Sequence, residues 1–224
     1  MVDAEYTYIN PALNLLTMSM MLAYNTERTV VLYTYQNYLK HTDMTLRRDN
    51  DYISSQGVCF GAKLVRGAYM LSERSRAETL HYPDPVHSTI EDTAKMYGQA
   101  VDFMFGRIRQ NPESNTVIVA THNEIAIEHA MARMLDYNIA KRGGSIMFAQ
   151  IFGMGDYITY TLGKEGFLAY KSIPYGSLRD TLPYLSRRAQ ENRAILQGTR
   201  RERELLKAAL LDRLWPKIFT KGCI

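Results

Sequence analysis

A chain of 224 residues is long enough for one domain with a sizeable core and too short for two comfortable ones. Its 46% hydrophobic and 22% charged residues are ordinary globular values, and a net charge of +4 gives no ground for a nucleic-acid partner. Cys59 and Cys223 stand far apart with no metal-ligand spacing, which argues against both a disulfide framework and a metal site. No run approaches the roughly 20 apolar residues that span a bilayer, and the opening Met1-Val2-Asp3-Ala4-Glu5 resembles neither a signal peptide nor a basic, acid-poor transit peptide.

Taken in order, residues 2–8 are β-prone and read as a strand, and residues 11–24 are rich in Leu and Met and read as a packed helix. Residues 29–35 form a β-branched and aromatic strand ending at Gln36, followed by a polar helix to about Ser55. The next strand covers 57–66 and ends in Gly67-Ala68-Tyr69. A long loop with Pro83 and Pro85 is expected over 71–88, then a helix over 89–110. Further strands are expected at 116–121, ending in His122-Asn123, at 146–150, ending in Gly153-Met154-Gly155, and at 167–173. Helices are expected at 124–138, 156–162 and, with a charged outer face, 199–214. Six strands alternate with helices, and the strands read as buried on both faces. The fold class is therefore α/β, a parallel sheet covered by helices. Polar or glycine-rich residues follow each strand, the pattern of a (β/α)₈ barrel, and no G-x-G-x-x-G follows a strand.

The densest constellation starts at Ser172-Ile173-Pro174-Tyr175-Gly176-Ser177. Ser177 suits an N-cap with Asp180 three residues on, and the helix that follows tolerates Pro183 near its start. Tyr184 and Arg188 are i, i+4, while Arg187 and Arg188 precede Glu191 by four and three residues. A phenol, two guanidiniums and a carboxylate thus share adjoining parts of one helix. Paired arginine forks suit a carboxylate, and a glutamate one turn away suits the ammonium of the same zwitterion. Spacing alone fits solvated ion pairs as well.

The run from Pro174-Tyr175-Gly176-Ser177 to Arg187-Arg188-Ala189-Gln190-Glu191-Asn192 closely resembles the last barrel helix of the proline dehydrogenase family, and Gly61-Ala62-Lys63-Leu64-Val65-Arg66-Gly67-Ala68-Tyr69-Met70 resembles that family's fifth strand. The resemblance runs over about residues 1–198 and is densest at 61–74, 119–123, 148–155 and 170–193. It implies a barrel flavoenzyme that moves a hydride from the ring carbon beside nitrogen onto FAD, gives a pyrroline carboxylate and passes electrons to a membrane quinone. By the same resemblance Arg187 and Arg188 would bind the substrate carboxylate and Glu191 would support the amine. Tyr69 and Tyr184 would enclose the ring, with Leu64 beneath it. Lys63 would stand beside the flavin's reactive nitrogen, and Asp3 would match an acidic residue near the substrate lysine. Gln36, Val65, Gly67, Ala68, Thr121, His122, Asn123, Gln150 and Met154 would contact the cofactor. Glu73 and Arg74 resemble a gating pair whose arginine partner lies elsewhere in the chain. A mitochondrial location with peripheral membrane association is implied in the same way, with residues 199–224 a helix and tail beyond the barrel domain.

Two departures matter. Ser172 occupies a position where proline-specific members carry a tyrosine, and a small hydroxyl there makes room for, and can pair with, a 4-hydroxyl group. Together with Leu196-Gln197-Gly198 this favours hydroxyproline as substrate, with proline the alternative. The family's first two strands and an upstream lysine have no counterpart, so about six of eight strands are expected. A truncated, inactive form acting as a binding partner is a reading of another class.

Overall fold

The computed structural model describes residues 1–191, 203–208, 210, 211 and 213. The chain forms two compact units, Met1–Ser172 and Ile173–Ile224. The first alternates α1 (Asn10–Tyr24), β1 (Tyr33–Gln36), α2 (Thr42–Ser55), β2 (Phe60–Val65), α3 (Met70–Leu80), α4 (Ile90–Gln110), β3 (Asn115–Ala120), α5 (Glu124–Asp136), β4 (Ile146–Ile151), α6 (Asp156–Lys164) and β5 (Ala169–Ser172). The five strands pair in sequence order and every pairing is parallel. Parallel neighbours need crossovers, and each crossover here carries one or two helices.

The core lies between sheet and helices. On α4, Tyr97, Ala100, Val101, Met104, Phe105 and Ile108 recur at helical spacing and pack with Phe60, Ala62, Leu64, Val117 and Val119 of β2 and β3. Local chemistry sets the helix starts: Thr89 Oγ1 accepts the Asp92 N–H at 3.0 Å, and Asn123 Oδ1 accepts the Ala126 N–H at 2.9 Å. A fully buried Asn25 closes α1. Its amide nitrogen donates to the Val31 and Cys59 carbonyls, and its oxygen accepts the Val30 and Val31 N–H groups. At Gly61 a Cβ would lie 2.6 Å from the Val31 carbonyl oxygen, so glycine alone lets residues 29–32 close over the start of β2.

Three expectations are corrected. Residues 2–8 are not a strand: Val2 alone bridges Tyr33, and the donors that follow go to side chains, Glu5 N–H to Asn10 and Thr7 N–H to Glu73. The loop expected over 71–88 is mostly α3, because Met70–Leu80 holds no glycine or proline; His81 in the left-handed region (φ 54°) ends it before Pro83. The strands are not all buried on both faces: β1 is, but along β3 and β4 burial alternates strictly between buried and half-buried, so one face of those strands meets the helices and the other is open.

Helices gather on one side of the sheet because each crossover returns the chain to the same face. In-register pairing then fixes the open face residue by residue: Thr34, Lys63, Ile118 and Met147 form one row, and Ala120, Ala149 and Tyr170 another.

In the second unit α7 (Leu178–Glu191) starts as expected, with the Ser177 hydroxyl donating to Asp180 Oδ2 at 2.7 Å and accepting the Asp180 N–H at 3.3 Å. Residues 203–208, 210, 211 and 213 are helical, in line with the charged helix expected there. No described helix is long and apolar enough to cross a membrane.

Candidate functional site

Parallel strands bring their carboxyl ends to one edge, and the predicted site residues of the first unit follow from that. Lys63 lies on the open face of β2, its side chain 18% exposed, and its Nζ reaches Asp3 Oδ1 at 2.7 Å. Thr34, opposite Lys63 on β1, donates its hydroxyl to the same oxygen at 3.1 Å. The protein side of Asp3 loses water, which would raise its carboxyl; the Lys63 charge and the two hydrogen bonds outweigh this and hold it below the usual value. The lysine is thereby kept at one spot over the sheet.

Gln36 is buried at the end of β1. Its amide donates to the Glu5 carbonyl at 2.9 Å and its oxygen accepts from Asn10 at 2.9 Å, tying the amino-terminal segment to the sheet. Val65 shares the Lys63 face, two residues on. Leu64 does not: successive side chains point to opposite faces, and Leu64 is fully buried in the helix-side core, where Tyr97 donates to its carbonyl. Its expected place beneath a substrate ring is corrected on that ground. Gly67 (φ +136°) brings the backbone against Tyr38, whose ring carbon lies 1.7 Å from where a Cβ would stand. Ala68 follows, and Tyr69 opens α3 as its N-cap residue.

At the end of β3, Thr121 accepts the Asn123 N–H through its hydroxyl oxygen, and its carbonyl accepts from Gln150. Gln150 also accepts the Thr159 hydroxyl at 2.8 Å, so its amide links β3, β4 and α6. His122 Nε2 accepts the Ile151 N–H at 3.0 Å, which places the ring proton on Nδ1. Burial, and after it the Lys171 charge, pushes the imidazole down to about 4. A ring held neutral with one nitrogen already occupied is a structural group and a poor general base at neutral pH. The Met154 carbonyl accepts from Lys171 Nζ at 3.0 Å, and the same ammonium pairs with Asp156 at 2.6 Å.

Glu73 and Arg74, expected to gate with an arginine elsewhere in the chain, have separate partners among the described residues. Glu73 is fully buried, its two oxygens accepting from the Thr7 N–H and hydroxyl, while Arg74 pairs with Asp84 at 3.3 Å and donates to the His87 carbonyl. In the second unit the Arg188 guanidinium stacks over the Tyr184 ring at 5.5 Å, as the i, i+4 spacing requires. The side chains of Arg187 and Glu191 lie outside the described residues. Ser172 ends β5 opposite Ile151 and is exposed on the open face.

Sequence reasoning missed Thr34, Lys171 and the Thr7–Glu73 contact. Thr34 had a signal, two residues before Gln36 and hence on the same strand face. The Thr7–Glu73 pair, far apart in sequence, had none.

The family model described as "Proline dehydrogenase" matches residues 1–201. The chain is 48% identical over 215 residues to a hydroxyproline dehydrogenase of Xenopus laevis, covering 96% of this chain and 46% of that one. It is 42% identical over 214 residues to mitochondrial proline dehydrogenase 1 of Homo sapiens, covering 96% and 36%. The chain thus spans about half the length of the first relative or less. Among solved structures, proline utilization A from Bdellovibrio bacteriovorus superposes with a TM-score of 0.78 over 88% of this chain and 20% of that one; at 22% identity this speaks to the fold, a TIM-type barrel wall. The family model covers most of the chain, and the chain belongs to the proline dehydrogenase family.

Proposed function

We propose that residues 1–198 form part of a (β/α)₈ barrel that oxidises trans-4-hydroxy-L-proline to the 3-hydroxy-pyrroline-5-carboxylate, with FAD as cofactor and a quinone as final electron acceptor. The observation that carries the reading is the Lys63–Asp3–Thr34 cluster, a cation fixed on the open face toward the carboxyl ends of the strands.

The residues present suit a flavin. Ala120 and Ala149 are paired neighbours on the open face and leave a low surface for a flat ring system. Val65, Gly67, Ala68, Thr121 and Asn123 would hold it, with His122, Gln150 and Met154 shaping the β3 and β4 ends. FAD, when bound, supplies a two-electron acceptor for the hydride leaving the ring carbon beside nitrogen. Lys63 contributes a positive charge that favours negative charge developing nearby, and Asp3 with Thr34 orients it. Arg187 and Arg188 bind the substrate carboxylate, Glu191 the amine, and Tyr69 and Tyr184 enclose the ring, an orientation effect.

Ser172 supports hydroxyproline: its hydroxyl stands free of bulk at the end of β5, and a site with a polar partner discriminates in favour of the hydroxylated ring. Proline as substrate is favoured by the identity to proline dehydrogenases, 42% for the human protein. The same relative's name supports a mitochondrial location, and a membrane quinone implies peripheral association. The test is a rate assay with a soluble quinone analogue. A higher kcat/KM for hydroxyproline supports the proposal; a higher value for proline reassigns the substrate; flavin-loaded protein that turns over neither contradicts it.

A further inference from the structure

A fully buried carboxylate is costly unless its oxygens are hydrogen-bonded, and Glu73 meets that need in an unusual way. One residue, sixty-six positions away, satisfies both oxygens: Thr7 N–H at 2.7 Å on Oε1 and Thr7 hydroxyl at 2.6 Å on Oε2. The backbone of Glu73 meanwhile donates its N–H to the Tyr69 carbonyl at 2.9 Å. Glu73 therefore grips two segments at once, the turn at residues 5–9 and the start of α3.

What the grip aligns is a stack of rings. Tyr6 lies against Tyr69 with centroids 4.6 Å apart, Tyr8 stacks on Tyr6 at 5.4 Å, and the Arg76 guanidinium caps Tyr8 at 4.1 Å. Thr7 sits between the two stacked tyrosines in the chain, so the carboxylate fixes the residue that joins them. Neither Thr7 nor Glu73 belongs to the sheet or the hydrophobic core.

We propose that Glu73, acting through Thr7, is a positioning residue for Tyr69: the clasp holds Tyr6 against the Tyr69 ring and so sets the wall that encloses the substrate's five-membered ring. The inference rests on the reading of Tyr69 as a substrate-enclosing residue. A positioned ring acts on binding of the substrate more than on the hydride step, so loosening the clasp should raise KM and spare kcat.

The variants are Thr7→Val, which removes the hydroxyl and keeps the N–H, Thr7→Ser, which restores the hydroxyl, and Glu73→Gln, all in the flavin-loaded chain. The first readout is the Tyr69 ring resonance in ¹³C-tyrosine-labelled protein, identified by its loss in Tyr69→Phe. The second is KM against kcat for hydroxyproline and for proline. The proposal predicts that Thr7→Val and Glu73→Gln move the Tyr69 resonance and raise KM about fivefold or more with kcat within about twofold, and that Thr7→Ser returns both to the parent values. A Tyr69 resonance unmoved in Thr7→Val overturns it, as does a KM unchanged in a variant whose resonance has moved. If the parent chain turns over neither substrate, the functional reading fails, and the resonance alone decides whether the clasp positions Tyr69.

Discussion

Acid should weaken the β3–β4 edge of the sheet through His122. Its Nε2 is an acceptor for the Ile151 N–H, and burial with Lys171 nearby sets the imidazole at about 4 against 6.5 in an open chain. Because the folded value is the lower one, the unfolded chain takes up the proton first as pH falls. Stability present above about pH 6.5 is therefore lost progressively down to about pH 4 and then levels off. At about 1.4 kcal/mol per unit, the whole shift is worth roughly 3 kcal/mol. The assay is urea unfolding between about pH 8 and pH 4 on the chain and on His122→Gln, whose amide oxygen can accept the same N–H without titrating. Carboxylates titrate in both proteins, so the difference between the two stability curves isolates the histidine. The chain should lose about 3 kcal/mol relative to the variant across that window. Parallel curves, or a His122 ring resonance that titrates near its ordinary value, would refute the reasoning.

Three further outcomes follow from the same geometry. Gly67→Ala should destabilise the first unit by about 3 kcal/mol, because its Cβ meets the buried Tyr38 ring at 1.7 Å and its backbone sits at φ +136°; thermal unfolding reads the loss. Lys63→Met should slow flavin reduction by about a hundredfold, since it removes the one cation fixed by Asp3 and Thr34; stopped-flow absorbance measures it. Ser172→Tyr should shift the ratio of kcat/KM for hydroxyproline over proline about tenfold or more toward proline, as a ring replaces an exposed hydroxyl on the open face; paired initial rates with both substrates report it.

Most of the strand and helix order was legible because parallel strands carry a strong local signal: residues such as Thr116-Val117-Ile118-Val119-Ala120 read as strand before any tertiary contact is known. Thr89 and Asn123 announce their helices by side-chain chemistry alone. Two errors came from letting one residue type speak for a whole stretch. Pro83 and Pro85 suggested a loop throughout 71–88, while the helix formers before them decide Met70–Leu80. Apolar runs suggested burial on both faces, yet Ile118 and Met147 are only half-buried, since a run shows hydrophobicity and not which layer covers it. The placement of Lys63, His122 and Gln150 in or just after a strand was legible, because each follows from an apolar run. The site was not legible where the partner is distant in the chain: nothing local tells that Glu73 meets Thr7, or that Asp3 reaches across to Lys63.

The central claim is most directly tested by the visible spectrum of the purified chain under anaerobic conditions, before and after trans-4-hydroxy-L-proline is added. Bound flavin should absorb and bleach, at a lower concentration of hydroxyproline than of proline. Flavin that proline bleaches more readily would contradict the role given to Ser172, and flavin that neither amino acid bleaches would contradict the oxidation itself.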